Sequence, residues 1–300
     1  MINSFKKIIE ESGVLQRVDL IEVGTLDLNS GDLKRYSFGE LADDSIEYFF
    51  DLASVTKLFT NGFIASLNPE VLKNDDLKLC LEHTSGIPSW GLLSKSKWKQ
   101  EVESFNIKKS STLYSDYGAI RAMLLFEKIS GQKLYSVCRE IWDEDIFHWM
   151  ENRDLNRFLK TGCRKSGSIF SEVHDPNAFN IKEELTHAGL FATTEGVLRT
   201  IKRVFKNGDL KKTLIQSKIA NEKKRFHLGW DTPSEEGSLA GDGCSTLTFG
   251  HLGFTGTSVW VDLEKGKAIS ILSNVTRDGW YKKNELNKVR RLVGKAYWDL

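Results

Sequence analysis

The chain has 300 residues, 40% of them hydrophobic and 28% charged, which suits a globular protein with room for a buried core and excludes a disordered or fibrous one. Its 42 basic and 41 acidic residues leave a net charge of +1, so no nucleic-acid footprint is present and clusters such as KKRF and KSKWK read as solvated faces. No apolar run approaches the roughly 20 residues of a membrane span.

The N-terminal MINSFKKIIEESGVLQ is interrupted by Lys6, Lys7, Glu10 and Glu11 where a secretory signal would be apolar. Cys80, Cys138, Cys163 and Cys244 are scattered, without metal-binding or redox spacing. The expectation is a cytoplasmic protein with reduced thiols and neither a nucleic-acid nor a membrane partner. Nothing in the sequence fixes an oligomeric state.

In chain order, an amphipathic helix is expected near residues 3–12. RVDLIEVGTLDL and LKRYSFGEL then alternate as a hairpin about NSGD. A helix is expected from Ser54, with Val55, Leu58, Phe59 and Phe63 on one face. A second runs from Tyr117 to about Ser130 and stops at Gly131; a third follows Thr193 and ends at Asn207-Gly208. TLTFGHLGFTGTSVWVDL and KAISILSNV read as a hairpin around Glu264-Lys265-Gly266, and NELNKVRRLVGKAYWDL as a closing helix. Strands at both ends around a helical middle imply an α/β (α+β) fold. Its antiparallel sheet comes from both termini (residues 1–62 and 222–300), flanked by helices, with an inserted all-helical lobe at 63–221. The eight tryptophans are expected mostly in the core, with Trp90 at a pocket rim.

Ser54 and Lys57 stand three residues apart in FFDLASVTKLFT. The Ser-x-x-Lys spacing recurs, for instance at Ser4/Lys7, Ser94/Lys97 and Ser96/Lys99, so spacing alone decides nothing. Ser54 differs in its setting. With Asp51 it sits where a helix cap belongs, ahead of an apolar stripe, near the unpaired N–H groups and positive end of that helix. Positions i and i+3 share a helix face, so the Lys57 amine can lie beside the Ser54 hydroxyl. A hydroxyl attacks only when a neighbouring base takes its proton, and an amine is such a base only when its pKa is pushed down.

FDLASVTK resembles the nucleophile motif of the serine β-lactamase-like superfamily, which includes class C β-lactamases, D-alanyl-D-alanine peptidases and related carboxylesterases. LEHTSGIPSW (81–90), YSDYG (114–118), VHDPNA (173–178), HAGLFATTEGV (187–197) and FGHLGFTGTSVWVD (249–262) resemble further segments of that superfamily, in its order. The resemblance implies that Ser54 is the nucleophile and that Lys57 and Tyr114 share the proton transfers. It also implies an oxyanion hole from the backbone N–H groups of Ser54 and Phe254, and substrate contacts from Asp116, His251 and Gly253. The implied activity is that of a serine hydrolase working through an acyl-Ser54 intermediate, with no metal and no cofactor. Its partner would be a small ester, amide or peptide-like substrate.

The sequence departs from the pattern at two places. His251-Leu252-Gly253 stands where Lys-Thr-Gly or His-Thr-Gly is usual, and Asp116 replaces the commoner Asn. Both changes disfavour a carboxylate-bearing substrate and favour a neutral ester or amide. Two alternatives remain open: a weak or inactive penicillin-binding-like binding or sensor protein, and a true β-lactamase or D-alanyl-D-alanine carboxypeptidase. The interval between Lys57 and LEHTSG is also short for the superfamily. Elsewhere, Asp175-Pro176-Asn177 reads as turn chemistry. His83 and His187 read as hydrogen-bonded structural histidines, and His148 and His227 lack metal-ligand spacing.

Overall fold

The computed structural model describes residues 1–279 and 283–300. Helix α1 (Ile2–Ser12) buries Phe5 and Ile9, four apart on one face, and Gly13 closes it with a left-handed φ of 80°. Strands β1 (Ile21–Asp27) and β2 (Leu33–Phe38) form the expected hairpin, and the short β3 (Phe50–Asp51) leads into the Ser54 region.

The continuous helix expected from Ser54 is broken. A 3₁₀ turn (Ala53–Val55) passes into α2 (Thr56–Phe59), then a second 3₁₀ turn (Asn61–Phe63) and α3 (Ile64–Leu67). Side chains compete with the helical ladder at the break. The Thr60 hydroxyl donates back to the Thr56 carbonyl at 2.8 Å, Trp230 Nε1 donates to the Gly62 carbonyl at 2.8 Å, and Asn61 Nδ2 donates to Ala119 at 3.0 Å. The apolar periodicity was real, but it serves a fully buried segment wrapped on all sides.

The middle of the chain carries α4 (Asp75–Leu81), α5 (Trp98–Ser104), α6 (Asp116–Ser130) and α7 (Leu134–Arg139). Ser115 caps α6, accepting from the Gly118 N–H at 2.7 Å, and Gly131 ends it with a left-handed φ of 71°. This span is not all helical. Strand β4 (Ile146–His148), the hairpin β5 (Lys160–Arg164) and β6 (Gly167–Phe170), helix α8 (Pro176–Ile181) and strand β7 (Leu190–Ala192) follow, and β3, β7 and β4 form a small sheet. Strands of two to five residues are too short for their alternation to register in the sequence. Helix α9 (Thr194–Phe205), capped by Thr193, and α10 (Asp209–Ala220) complete the span.

The last part holds β8 (Phe226–His227), β9 (Trp230–Asp231), β10 (Thr248–Leu252), β11 (Ser258–Asp262), β12 (Lys267–Ser273) and α11 (Asn284–Trp298). The expected C-terminal hairpin is therefore three strands, because the chain reverses at 253–257 as well as at 263–266. All pairings in the seven-stranded sheet are antiparallel, in the order β2-β1-β12-β11-β10-β9-β8. The ends of the chain meet where β1 pairs with β12, the second and third strands of this order, with Ile21 opposite Ser273 and Asp27 opposite Lys267.

Helices α1 and α11 cover one face of the sheet over Val23, Trp260, Ile269 and Ile271. Helix α9 covers the other face at β1 and β12, although it lies within the 63–221 span. Trp98, Trp142, Trp149, Trp230, Trp260 and Trp298 are buried and Trp90 is exposed, while Trp280 lies outside the described residues.

Gly24 on β1 admits α9. A Cβ there would lie 2.5 Å from Ser270 Oγ, 2.6 Å from Thr194 Cγ2 and 2.7 Å from Leu198 Cδ1. Gly24→Val should therefore push α9 off the sheet and cost about 1–3 kcal/mol by overpacking, read as a lowered midpoint in denaturant unfolding. An unchanged midpoint would show that α9 is free to shift.

Candidate active site

Ser54 sits on the first 3₁₀ turn, half-buried, while its neighbours Ala53 and Val55 are buried. The turn is built on Asp51. One of its carboxylate oxygens accepts from the Ala53 N–H at 2.8 Å and the other from the His174 N–H at 2.6 Å. Burial pushes Asp51 up to about 6, against those two hydrogen bonds. Ala53 is held at φ 45°, a left-handed conformation that a non-glycine residue seldom adopts, directly before the serine.

Lys57 lies beneath Ser54 with 2% of its side chain exposed. Its Nζ is 3.0 Å from Ser54 Oγ, 2.9 Å from the His187 carbonyl and 2.7 Å from Asp116 Oδ1. Ser54 Oγ and the His187 carbonyl accept hydrogen bonds from the ammonium, and Asp116 meets it as an ion pair without a well-aligned hydrogen bond. Burial opposes a charge here, yet the Asp116 carboxylate raises the Lys57 pKa above its ordinary value. The lowered amine pKa that a ready base requires is thus not the resting state.

Tyr114 is also buried, with the Lys57 ammonium 5.0 Å from its ring centroid. Its hydroxyl faces Lys57 and Ser54 without closing a well-formed hydrogen bond to either. Burial raises its pKa more than Lys57 lowers it, so it rests as the phenol. Two imidazoles flank the ring, His83 at 4.7 Å and His251 at 5.8 Å between centroids. His83 Nδ1 accepts from the Ser115 N–H at 3.1 Å, and burial, then the Lys57 charge, hold His83 neutral.

His251, the first residue of the altered triplet, is held neutral as well, pushed down to about 3 by burial and then by Lys57. Its Nδ1 lies 2.8 Å from the Leu252 carbonyl, which can only accept, so Nδ1 carries the proton. Nε2 is left as a bare, buried acceptor. Leu252, read from the sequence as a lost pocket hydroxyl, packs with the cluster beneath α1 and α11, because neighbours on a strand face opposite sides.

The turn after β10 is fastened to the Ser54 turn. Thr255 Oγ1 donates to the Asp51 carbonyl at 2.6 Å and Thr257 Oγ1 to the Leu52 carbonyl at 2.9 Å. Gly253 is what lets the two turns touch, since a Cβ there would lie 2.5 Å from the Leu52 oxygen and 2.0 Å from Thr257 Oγ1. Phe254 follows with its side chain exposed, its ring 5.3 Å from that of His174.

Sequence reasoning missed Lys283. It donates to the Phe254 carbonyl and lies 4.0 Å above the ring, and burial pushes it down to about 8. No motif marks it, because it stands at the start of α11, 29 residues beyond Phe254. It also missed the pairing of Asp175 with His187 Nε2 at 2.8 Å. Asp175 caps α8 too, through the Ala178 N–H at 2.8 Å, and despite burial the His187 contact holds it at about 2. Arg225, whose charge reaches His83 and His251, is occupied by both oxygens of Asp231 at 2.8 and 3.0 Å. Among the described residues, no group of three or more His, Cys, Asp or Glu side chains is arranged to hold a metal, and no helix is long and apolar enough to cross a membrane.

The family model described as Beta-lactamase matches residues 80–290, a span that begins after Ser54 and Lys57. No curated protein matches the chain. Among solved structures, the chain is similar to the D-amino acid amidase of Ochrobactrum anthropi SV3 (15% identity, 97% of this chain and 96% of that one, TM-score 0.65). It is also similar to a class C β-lactamase of Rhodobacter sphaeroides (11% identity, 97% and 98%, TM-score 0.65). A third is simvastatin synthase of Aspergillus terreus (15% identity, 98% and 94%, TM-score 0.63). At these identities the likeness is one of fold.

The two threonine staples are testable as a unit. Replacing Thr255 and Thr257 together by Val removes the side-chain donors to the Asp51 and Leu52 carbonyls, of which Leu52 keeps the Val55 N–H at 2.9 Å, and should cost about 1–3 kcal/mol of stability. Thermal unfolding checks this. A double variant as stable as the parent would show that the turns are held together by something else.

Proposed function

The chain belongs to the beta-lactamase family, and from that premise we propose that it is a serine hydrolase acylated at Ser54. The observation that carries this reading is the half-exposed Ser54 hydroxyl 3.0 Å from a buried Lys57 amine, with the Tyr114 hydroxyl facing both. In the proposed cycle Ser54 Oγ bonds to the substrate carbonyl carbon while its proton passes to the Lys57–Tyr114 pair. The N–H groups of Ser54 and Phe254 take the charge that develops on the carbonyl oxygen. The leaving group departs with the proton held by the pair. Water then attacks the acyl carbon, losing a proton to the same pair, which returns it to Ser54 Oγ as the acyl–Oγ bond breaks and the acid leaves.

We further propose a neutral ester or amide as substrate. The inner wall offers acceptors: bare His251 Nε2 and the Asp116 carboxylate. Its cations are committed, Lys57 to Asp116 and Arg225 to Asp231. A carboxylate drawn unpaired into such a pocket costs several kcal/mol, on the order of a thousandfold in affinity. The fold shared with an amidase fits this reading. Lys283 favours the second reading, a β-lactamase or carboxypeptidase, because it sets a cation beside Phe254 where a substrate carboxylate could reach it.

A fluorophosphonate should label Ser54 alone, and Ser54→Ala should fold yet escape labelling, as read by intact mass and peptide mapping. Labelling at Ser94 or Ser96 would sink the assignment. Lys57→Ala and Tyr114→Phe should each slow acylation by about 10²–10⁴-fold. Matched neutral and carboxylate-bearing substrates distinguish the two readings: kcat/KM should favour the neutral one. An anionic preference abolished by Lys283→Ala would establish the second.

A further inference from the structure

Lys57 is surrounded on every side by groups whose charge can be named. From its own turn comes the Ser54 hydroxyl, and from the segment entering α6 come Tyr114 and Asp116. From β10 comes His251, and from the turn after α4 comes His83, both neutral. From the loop around α8 come the His187 carbonyl and, further off, Asp175. Asp175 is spent on His187 and on the α8 cap, and its carboxylate does not contact Lys57 among the described ion pairs. Asp116 is thus the anion in contact with the amine, at 2.7 Å, and its side chain is only 16% exposed.

We propose that Asp116 is a positioning residue which, by its ion-pair contact, keeps Lys57 as an ammonium, so that Ser54 is acylated only from the fraction of molecules in which that proton has left. This rests on the serine-hydrolase reading. The proton balance follows from the geometry. While Lys57 is an ammonium it can donate to Ser54 Oγ but cannot receive its proton, and the Tyr114 phenol cannot receive it either. Once one proton leaves Lys57 for solvent, the free amine takes the Ser54 proton as Oγ bonds to the carbonyl carbon. That proton then goes out with the leaving group, and the amine is restored. An Asn at this position would keep an acceptor oxygen beside Nζ while removing the charge. A contacting opposite charge shifts a titration by roughly 1–3 pH units, so Asp116 governs the pH range over which Ser54 reacts.

Two measurements test this together: the pH dependence of fluorophosphonate labelling of Ser54, and the NMR titration of Lys57 in protein carrying ¹³C-labelled lysine, its signal assigned with Lys57→Arg. In the wild type the labelling rate should rise about tenfold per pH unit from about pH 7 to 9, as for a base still far below its titration point. In Asp116→Asn the Lys57 titration and the acid limb of labelling should move down together by at least about one unit, giving about tenfold faster labelling near pH 7. Asp116→Glu should keep both high. A wild-type rate flat between about pH 7 and 9 would overturn the proposal, and so would a Lys57 titration unmoved by Asp116→Asn or a limb that stays while the titration moves. Should Lys57 shift as expected while Ser54 labels in no variant at any pH, the charge-setting role stands and the hydrolase reading fails.

Discussion

Burying the Lys57 ammonium obliges the chain to bring two acceptors and a counter-charge to one point, since an unpaired buried charge is among the costliest features a fold can contain. The three come from separate places: Ser54 on the same turn, Asp116 at the head of α6, and the His187 carbonyl 130 residues along the chain. Those places are themselves tied. Asn61 and Thr186 both donate to the Ala119 carbonyl in the first turn of α6, at 3.0 Å each, and Thr60 reaches the Thr186 carbonyl at 3.3 Å. The break in the expected Ser54 helix is part of the same constraint. A straight helix would turn Thr60 and Asn61 into its own ladder instead of toward their partners.

The other wall of the site depends on the large sheet. Pairing β1 with β12 brings the chain ends together and sets β10 beside β11, so that the turn after β10 reaches the nucleophile turn. There the hydroxyls of Thr255 and Thr257 grip carbonyls more than 200 residues distant in sequence, separations of 204 and 205. The Ser54 turn and the turn after β10 are therefore joined by side-chain-to-backbone bonds.

Much of this arrangement was legible in the sequence. The amphipathic α1, the capped α6 and α9 and the terminal sheet follow from patterns within a few residues of one another, while Ser54, Lys57, Tyr114 and Asp116 were singled out by the resemblance of short motifs. Short strands such as β3, β4 and β7 were not legible, because two or three residues carry no period. The split of the C-terminal hairpin was missed because Gly253-Phe254-Thr255-Gly256-Thr257 reads as strand while folding as a turn. Leu252 was misjudged because the motif marks its place in the chain and not the face of the sheet on which it falls.

The sequence by itself determined which chemical groups the chain carries and in what order, and so its family and its candidate nucleophile. Only the tertiary structure decided their charge states. His251 looked titratable and is held neutral by burial and Lys57. Lys57 looked like a base and is held as a cation by Asp116. Lys283, invisible to any motif, arrives over Phe254 from the start of α11, 29 residues along the chain. The physical reason is that a pKa is a sum over solvent exclusion and every charge nearby in space. Here the contributors to that sum come from segments that the sequence keeps tens to hundreds of residues apart.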